Sequence, residues 1–133
     1  MVKNNCNGAI FASQEKSGIG VVIQGNIGEV LCSLSKQLPQ AYTPFEIEVL
    51  AALTALQLAS NMGFRQAVLE TDSQILVKTM LKDSNFLSSD GLLIKDVKFF
   101  AKFFNQLHYS HVKREGNFIL VCSLLFRLGI TSS

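Results

Sequence analysis

The chain has 133 residues, of which 48% are hydrophobic and 17% are charged, and its formal net charge is +2. This length predicts that residues 1–133 form a single domain with its own core, and the composition excludes a disordered chain. The small positive charge permits a nucleic-acid partner without indicating one.

The three cysteines, Cys6, Cys32 and Cys122, are widely spaced and lie in apolar segments. Such a set predicts free thiols and neither a disulfide framework nor a zinc site. Residues 1–7 lack the apolar segment of a secretory signal, and the apolar run 118–130 is too short to span a membrane. We therefore expect an intracellular protein, nuclear or cytoplasmic, that is not secreted and has no membrane partner.

The first third of the sequence is typical of three β-strands, predicted at residues 2–12, 18–24 and 29–37. Residues 25–28, Gly-Asn-Ile-Gly, are typical of a hairpin turn. In the third strand the alternation predicts that Val30, Cys32 and Leu34 share one face. The short connections favour an antiparallel meander.

The pattern changes to a helical one at Thr43-Pro44-Phe45-Glu46, which combines a capping box with proline at the first helical position. The predicted helix runs to about residue 62 and ends at Gly63. Residues 49–59 are apolar on almost every side, which predicts burial against a sheet. A fourth strand is predicted at 66–71 and a second helix at 72–81.

After a polar loop at 82–89, a third helix is predicted from residue 90 to about 104, with Leu93, Val97, Phe100 and Phe104 on one face and Lys95, Lys98 and Lys102 on the opposite face. A fifth strand at 107–113 and a final helix at 117–128 complete the order β-β-β-α-β-α-α-β-α. This order predicts an α/β fold with a five-stranded mixed sheet, in which three antiparallel strands precede parallel strands reached by helical crossovers.

Two acidic residues are the main candidates for chemistry. Glu48 lies one turn inside the first helix, and Asp72 directly follows the fourth strand, where α/β sheets often line ligand sites. Two carboxylates meeting there could bind Mg²⁺. Alternatively, Asp72 is only the N-cap of the second helix and Glu48 is a surface acid with a buried stem. Glu46 is interpreted as a capping residue.

Other polar residues have simpler interpretations. His108 and His111, on or beside the fifth strand, are interpreted as structural residues and not as metal ligands. The three lysines of the third helix are typical of a solvated helix face, and contact with nucleic acid is the alternative.

Five blocks of the sequence, taken together, resemble the ribonuclease H-like domain of the plant reverse-transcriptase-like, retroelement-type family. The blocks are Asn7-Gly8-Ala9, Gly18-x-Gly20-Val21-Val22, the helix from Glu48 to Ala59 with Ala51, Ala55 and Leu56, Glu70-Thr71-Asp72-Ser73, and His111-Val112-Lys113-Arg114-Glu115-Gly116-Asn117. The resemblance covers residues 3–129 and implies the ribonuclease H fold.

The resemblance implies a nuclease that cuts the RNA strand of an RNA–DNA hybrid. In such nucleases four acids hold two Mg²⁺ ions. The second and third acids match Glu48 and Asp72. The first acid is replaced by Asn7, and the fourth falls on Val121 or Ser123 depending on the alignment. No acid follows Glu115.

The loss of two acids predicts weak binding of Mg²⁺ or Mn²⁺ and impaired hydrolysis. A metal's Lewis-acid effect is worth several kcal/mol, and each ~1.4 kcal/mol changes the rate tenfold. The resemblance also implies nucleic-acid contacts at Ser73, Lys113, Arg114 and Asn117.

Three functions therefore remain open: an active hybrid-specific endoribonuclease, a non-catalytic nucleic-acid-binding module, and a vestigial or protein-interaction domain derived from a retroelement. The last is favoured by the apolar run 118–125 and by Phe99 and Phe103 on the third helix, because apolar patches mark interfaces. A salt-dependent affinity for nucleic acid would separate the second from the third.

Overall fold

The computed structural model describes residues 1–82 and 90–113 of the chain. Within these ranges the backbone forms five strands and three α-helices. The strands are β1 (Val2–Phe11), β2 (Lys16–Gln24), β3 (Val30–Leu38), β4 (Gln66–Thr71) and β5 (Gln106–His111), and the helices are α1 (Pro44–Asn61), α2 (Gln74–Leu81) and α3 (Asp90–Ala101).

The strands form one mixed sheet in the order β3-β2-β1-β4-β5. The β1–β2 and β2–β3 pairs are antiparallel, whereas the β1–β4 and β4–β5 pairs are parallel. The predicted fold class is therefore confirmed. Because β1 is central and pairs with β4 in parallel, its end and the end of β4 meet at the same edge of the sheet.

The antiparallel part differs from the prediction at two strand starts. β2 begins at Lys16, two residues earlier than predicted, after a 3₁₀ turn at Ala12–Gln14 that ends with Glu15 at φ 51°. β3 begins at Val30 and not at Glu29.

The predicted face of β3 is correct for two of its three residues. Cys32 and Leu34 pack against the core, but Val30 is 60% exposed. The reason is a register shift between Ile23 and Gln24 of β2, which interrupts the alternation at the first residue of β3.

Helix α1 begins and ends as predicted. The Thr43 hydroxyl accepts a hydrogen bond from Glu46 N, the Glu46 carboxylate accepts one from Thr43 N, and Gly63 follows the helix with φ +87°. The helix packs on β1, β2 and β4, and seven of its side chains are buried: Ile47, Val49, Ala51, Ala52, Ala55, Leu56 and Ala59. Small residues at four of these positions let the helix lie close to the sheet.

The later elements lie close to their predicted positions, and α3 and β5 both end earlier than predicted. α3 ends at Ala101 and not near Phe104, because Lys102, Phe103 and Phe104 donate to carbonyls three residues earlier, which tightens the last turn into 3₁₀ geometry. β5 covers 106–111 in place of 107–113. The burial of Val97 and Phe104 confirms the predicted apolar face.

Two predicted segments, the loop at 83–89 and the final helix at 117–128, lie outside the described residues. Cys6 and Cys32 form no disulfide; Cys6 is fully buried and Cys32 is partly buried. Of the helices that the structure describes, none has the length and apolar character needed to cross a membrane.

Candidate active site

The centre of the candidate site is Asn7, in the middle of β1. Its side chain is 4% exposed, and its Oδ1 accepts a hydrogen bond from the amide of Gly8 at 2.8 Å. The amide oxygen is thus held in place by the backbone of its own strand. At this position the chain buries a neutral oxygen donor.

Glu48 reaches the same amide from α1. Its Oε1 lies 3.3 Å from Gly8 N, so the oxygens of Asn7 and Glu48 converge on one N–H group. Gly8 makes this approach possible, since a Cβ at that position would lie 2.7 Å from Ile47 Cγ1 and 3.1 Å from the Ile47 carbonyl oxygen. The interpretation of Glu48 as a surface acid therefore fails, because the carboxylate points to β1.

Asp72 enters the site from the end of β4. Residues of β1 and β4 pair in step as far as Asn5 and Glu70, and the same register continued by two residues brings Asp72 level with Asn7. Asp72 is not the N-cap of α2, because Ser73 takes that place and its hydroxyl accepts from Leu76 N at 3.2 Å. The capping interpretation of Asp72 is therefore wrong.

In addition to burial, Glu48 and Asp72 both raise the pKa of the Cys6 thiol on β1. Burial raises the pKa of Cys6 well above its usual value, and the charges of Glu48 and Asp72 raise this pKa further, while a hydrogen bond with Thr71 lowers it. Both acids therefore lie close to the same residue of β1. A negative charge at Cys6 would be disfavoured by each of them.

Thr71 holds the turn that carries Asp72. Its side chain is 1% exposed, its Oγ1 accepts from Ser73 N at 3.1 Å, and its carbonyl oxygen accepts from Val112 N at 2.9 Å. Sequence reasoning placed no role on Thr71 or Gly8. Thr71 directly precedes the candidate acid Asp72 and Gly8 directly follows Asn7, and that adjacency is the signal that would have found them.

These residues do not fit a pair of divalent ions. The site brings together two carboxylates, and the Oδ1 of Asn7 is neutral and already accepts from Gly8 N at 2.8 Å. Within residues 1–82 and 90–113, no group of three or more His, Cys, Asp and Glu side chains is placed to hold a metal ion. Mg²⁺ sites in proteins depend on carboxylates with near-ideal octahedral geometry.

The other predicted site residues are placed as follows. Ser73 is engaged as a helix cap, and the exposed Lys113 follows Val112 at the edge of the site. His108 and His111 are exposed on β5. Four predicted positions lie outside the described residues: Arg114, Asn117, Val121 and Ser123.

Solved structures with the same fold come from several sources. Ribonuclease H1 of the halophilic archaeon Halobacterium salinarum is 21% identical and superposes with a TM-score of 0.79, over 87% of this chain and 88% of that chain. The N-terminal ribonuclease H domain of a Mycobacterium tuberculosis protein, solved as a fusion with maltose-binding protein, is 22% identical with a TM-score of 0.78, over 88% and 90%.

A third structure is a ribonuclease H1 isolated from compost, in complex with an RNA/DNA hybrid. It is 21% identical with a TM-score of 0.72 and covers 88% of each chain. At these identities the likeness shows the fold, and the chain has the ribonuclease H fold.

No curated protein sequence matches the chain. The model of the reverse transcriptase-like family matches residues 5–119, which include β1 with Asn7, α1 with Glu48 and the end of β4 with Asp72. The chain therefore belongs to the reverse transcriptase-like family.

Proposed function

We propose that this chain is a nucleic-acid-binding domain of the ribonuclease H type whose hydrolysis of RNA–DNA hybrids is impaired. The observation that carries the proposal is Asn7, a buried neutral side chain whose Oδ1 accepts from the same Gly8 amide as the Glu48 carboxylate. The plant, retroelement-type origin that the sequence blocks suggest is part of this proposal.

The proposed binding rests on two features. A ribonuclease H1 of the same fold has been solved with an RNA/DNA hybrid. In this chain, Lys113 is exposed at the edge of the site, one residue after the Val112 amide that donates to Thr71. A lysine beside the candidate groove supplies charge for a phosphate, and each such contact releases counterions.

The proposed impairment follows from the charge of the site. Two carboxylates neutralise less of the charge on two divalent ions than four do, and no acid follows Glu115 in the sequence. Loss of several kcal/mol of Lewis-acid stabilisation corresponds to a rate lower by roughly two to four orders of magnitude. Mg²⁺ or Mn²⁺ would bind this site weakly.

The test is binding and cleavage of a labelled RNA–DNA hybrid by the same protein sample. We expect an affinity that falls with salt, and cleavage in Mg²⁺ or Mn²⁺ that does not exceed that of Asp72→Asn. The substitution Lys113→Gln should weaken binding and lower the salt slope by about 1. Lys36→Gln, at an exposed position of the edge strand β3, is the matched control.

Two results would overturn the proposal. Cleavage that is fast in the wild type and lost in Asp72→Asn would show a working site. A folded protein with no affinity for hybrid at low salt would leave the vestigial or protein-interaction alternative, for which the apolar run 118–125 lies outside the described residues.

A further inference from the structure

A second surface of the molecule combines aromatic and basic side chains at the end of α3. Phe99 is 55% exposed and Phe103 is 46% exposed, although both are large apolar side chains. Lys95 and Lys102 are exposed beside them. We call these four residues the α3 patch.

Lys95 and Phe99 are four residues apart on α3, which is the spacing of neighbours on a helix surface, and Lys102 and Phe103 lie in the turn that directly follows the helix. The rings of Phe99 and Phe103 meet edge to face, with centroids 5.5 Å apart. Phe99 makes the same kind of contact with Phe100 at 5.5 Å, so the exposed rings are anchored to a partly buried one.

The α3 patch carries two lysines and no acidic residue. From position 90 to 106 the sequence contains three lysines and two acidic residues, Asp90 and Asp96, neither of which belongs to the patch. The Lys98 ammonium lies 2.7 Å from the carbonyl oxygen of Lys82, which leaves Lys95 and Lys102 as the lysines on either side of Phe99. The complementary partner carries regular negative charge together with flat apolar groups.

We infer that the α3 patch binds single-stranded nucleic acid, with bases stacked on Phe99 and Phe103 and phosphates beside Lys95 and Lys102. Stacking on aromatic side chains combined with a basic track is how proteins bind single strands without reading sequence. A duplex would not serve, because its bases are already stacked on one another. Lys95 and Lys102 are about 10 Å apart along the helix axis, which corresponds to roughly three stacked nucleotides.

This inference deepens the proposed function but concerns a different surface. α3 precedes β5 and ends beside the start of β4, where Asn105 N donates to the Arg65 carbonyl oxygen at 2.7 Å. Asp72 follows the other end of β4, and a six-residue strand is about 20 Å long. Hybrid bound at the candidate site and a single strand bound at the α3 patch would therefore touch opposite ends of the sheet.

The experiment compares three proteins by fluorescence anisotropy, with a labelled oligo-uridine and with a blunt RNA–DNA hybrid. The variants are Phe99→Ala/Phe103→Ala and Lys95→Gln/Lys102→Gln. The expected results are oligo-uridine affinity about tenfold weaker or more for the first, and a salt slope lower by about 1.4 for the second. The hybrid affinity should change much less.

Matched controls separate stacking from general effects. Ile27→Ala/Lys36→Gln removes an apolar side chain that is 90% exposed and an exposed charge away from α3, and should leave oligo-uridine affinity unchanged. Phe99→Trp keeps a flat ring and should retain binding. If the phenylalanine variant misfolds, the lysine variant still tests the inference, because Lys95 and Lys102 are both exposed.

Each other outcome overturns the inference. Wild-type protein that does not bind oligo-uridine at low salt, or patch variants that bind it as wild type does, would exclude the site. So would patch variants that only change the oligomeric state in solution, which would make the surface an interface between copies. Wild-type protein that binds oligo-uridine but not the hybrid would count against the proposed function and not against the α3 patch, because the two ligands are measured separately.

Discussion

Two regions of the molecule are built from the same helix and strands but bury different kinds of side chain. They are the layer between α1 and the sheet, and the candidate site at the end of β4. The layer buries apolar side chains such as Leu56 and Leu69, with Asn4 as a polar exception whose Nδ2 donates to the Ala55 carbonyl oxygen at 2.8 Å. The site, three residues beyond Asn4 on β1 and two beyond Leu69 on β4, buries Asn7 and Thr71.

This difference explains how the fold is stabilised independently of the residue at position 7. Burial of apolar area stabilises the fold, and that term does not depend on which oxygen or nitrogen stands at position 7. An asparagine has nearly the shape of an aspartate, so the layer packs equally well around it. Fold and function are thus separable along a single strand.

Placing a carboxylate at position 7 would sharpen the comparison between the apolar layer and the candidate site most. In the absence of divalent ions, we expect Asn7→Asp to lower the free energy of unfolding by about 2 kcal/mol, because a buried carboxylate beside Glu48 and Asp72 is disfavoured. Mg²⁺ at 100 times its dissociation constant should return about 2.7 kcal/mol. Denaturant unfolding in EDTA and in Mg²⁺ measures both effects.

Asn5→Asp is the matched control for this variant. Asn5 is 5% exposed, lies on the same strand and pairs in register with Glu70, but it is away from Asp72. We expect Asn5→Asp to be destabilised without rescue by Mg²⁺. Equal responses of the two variants to Mg²⁺ would contradict a site centred on position 7.

Much of the fold was predictable because its signals are local. The capping box at Thr43 and the glycine at 63 define α1, and alternation defines β4 to the residue. The start of β3 was not predictable, because the bulge between Ile23 and Gln24 depends on pairing with another strand. The end of α3 was missed because its apolar spacing continues through Phe104 while its hydrogen bonds have already become 3₁₀.

The sequence predicted which residues form the candidate site but not the contacts that these residues make. Glu48 and Asp72 were found from their positions on a helix and after a strand, and the resemblance pointed to Asn7. Glu48 contacts the Gly8 amide across 40 residues of sequence, and Thr71 accepts from the amide of the distant Val112, so no spacing in the sequence encodes these contacts.

A loss of stability of similar size is expected at Gly8, where the apolar layer and the candidate site meet. Gly8→Ala should lower the free energy of unfolding by about 2 kcal/mol, because the added Cβ would lie 2.7 Å and 2.9 Å from the Cγ atoms of Ile47 and α1 would have to shift. Thermal or urea unfolding measures the cost.

A double-mutant cycle identifies the cause. Ile47→Ala removes both Cγ atoms and should itself be costly, since Ile47 is 1% exposed. In the double variant the cost should be less than the sum of the two, by at least 0.5 kcal/mol. Additive costs would mean that Gly8 is required for its backbone conformation and not for the close approach of α1.

The smallest expected effect is the pH dependence contributed by Cys6, which lies between the two regions. Burial and the neighbouring carboxylates raise the pKa of its thiol above the usual 9.0, so the unfolded chain loses this proton first as the pH rises. The stability contributed by the neutral thiol is therefore complete below pH 9.0 and declines above it, at about 1.4 kcal/mol per pH unit until the folded pKa is reached.

Cys6→Ala isolates this contribution from other groups such as Tyr109, whose pKa is also raised by burial. The difference in free energy of unfolding between wild type and Cys6→Ala should be constant from pH 7 to 8 and should shift against the wild type above pH 9.0. The matched control is Cys32→Ala, which removes a partly buried thiol on the edge strand β3. A pH-independent difference for Cys6→Ala would show that neither burial nor the two carboxylates raises the pKa of this thiol.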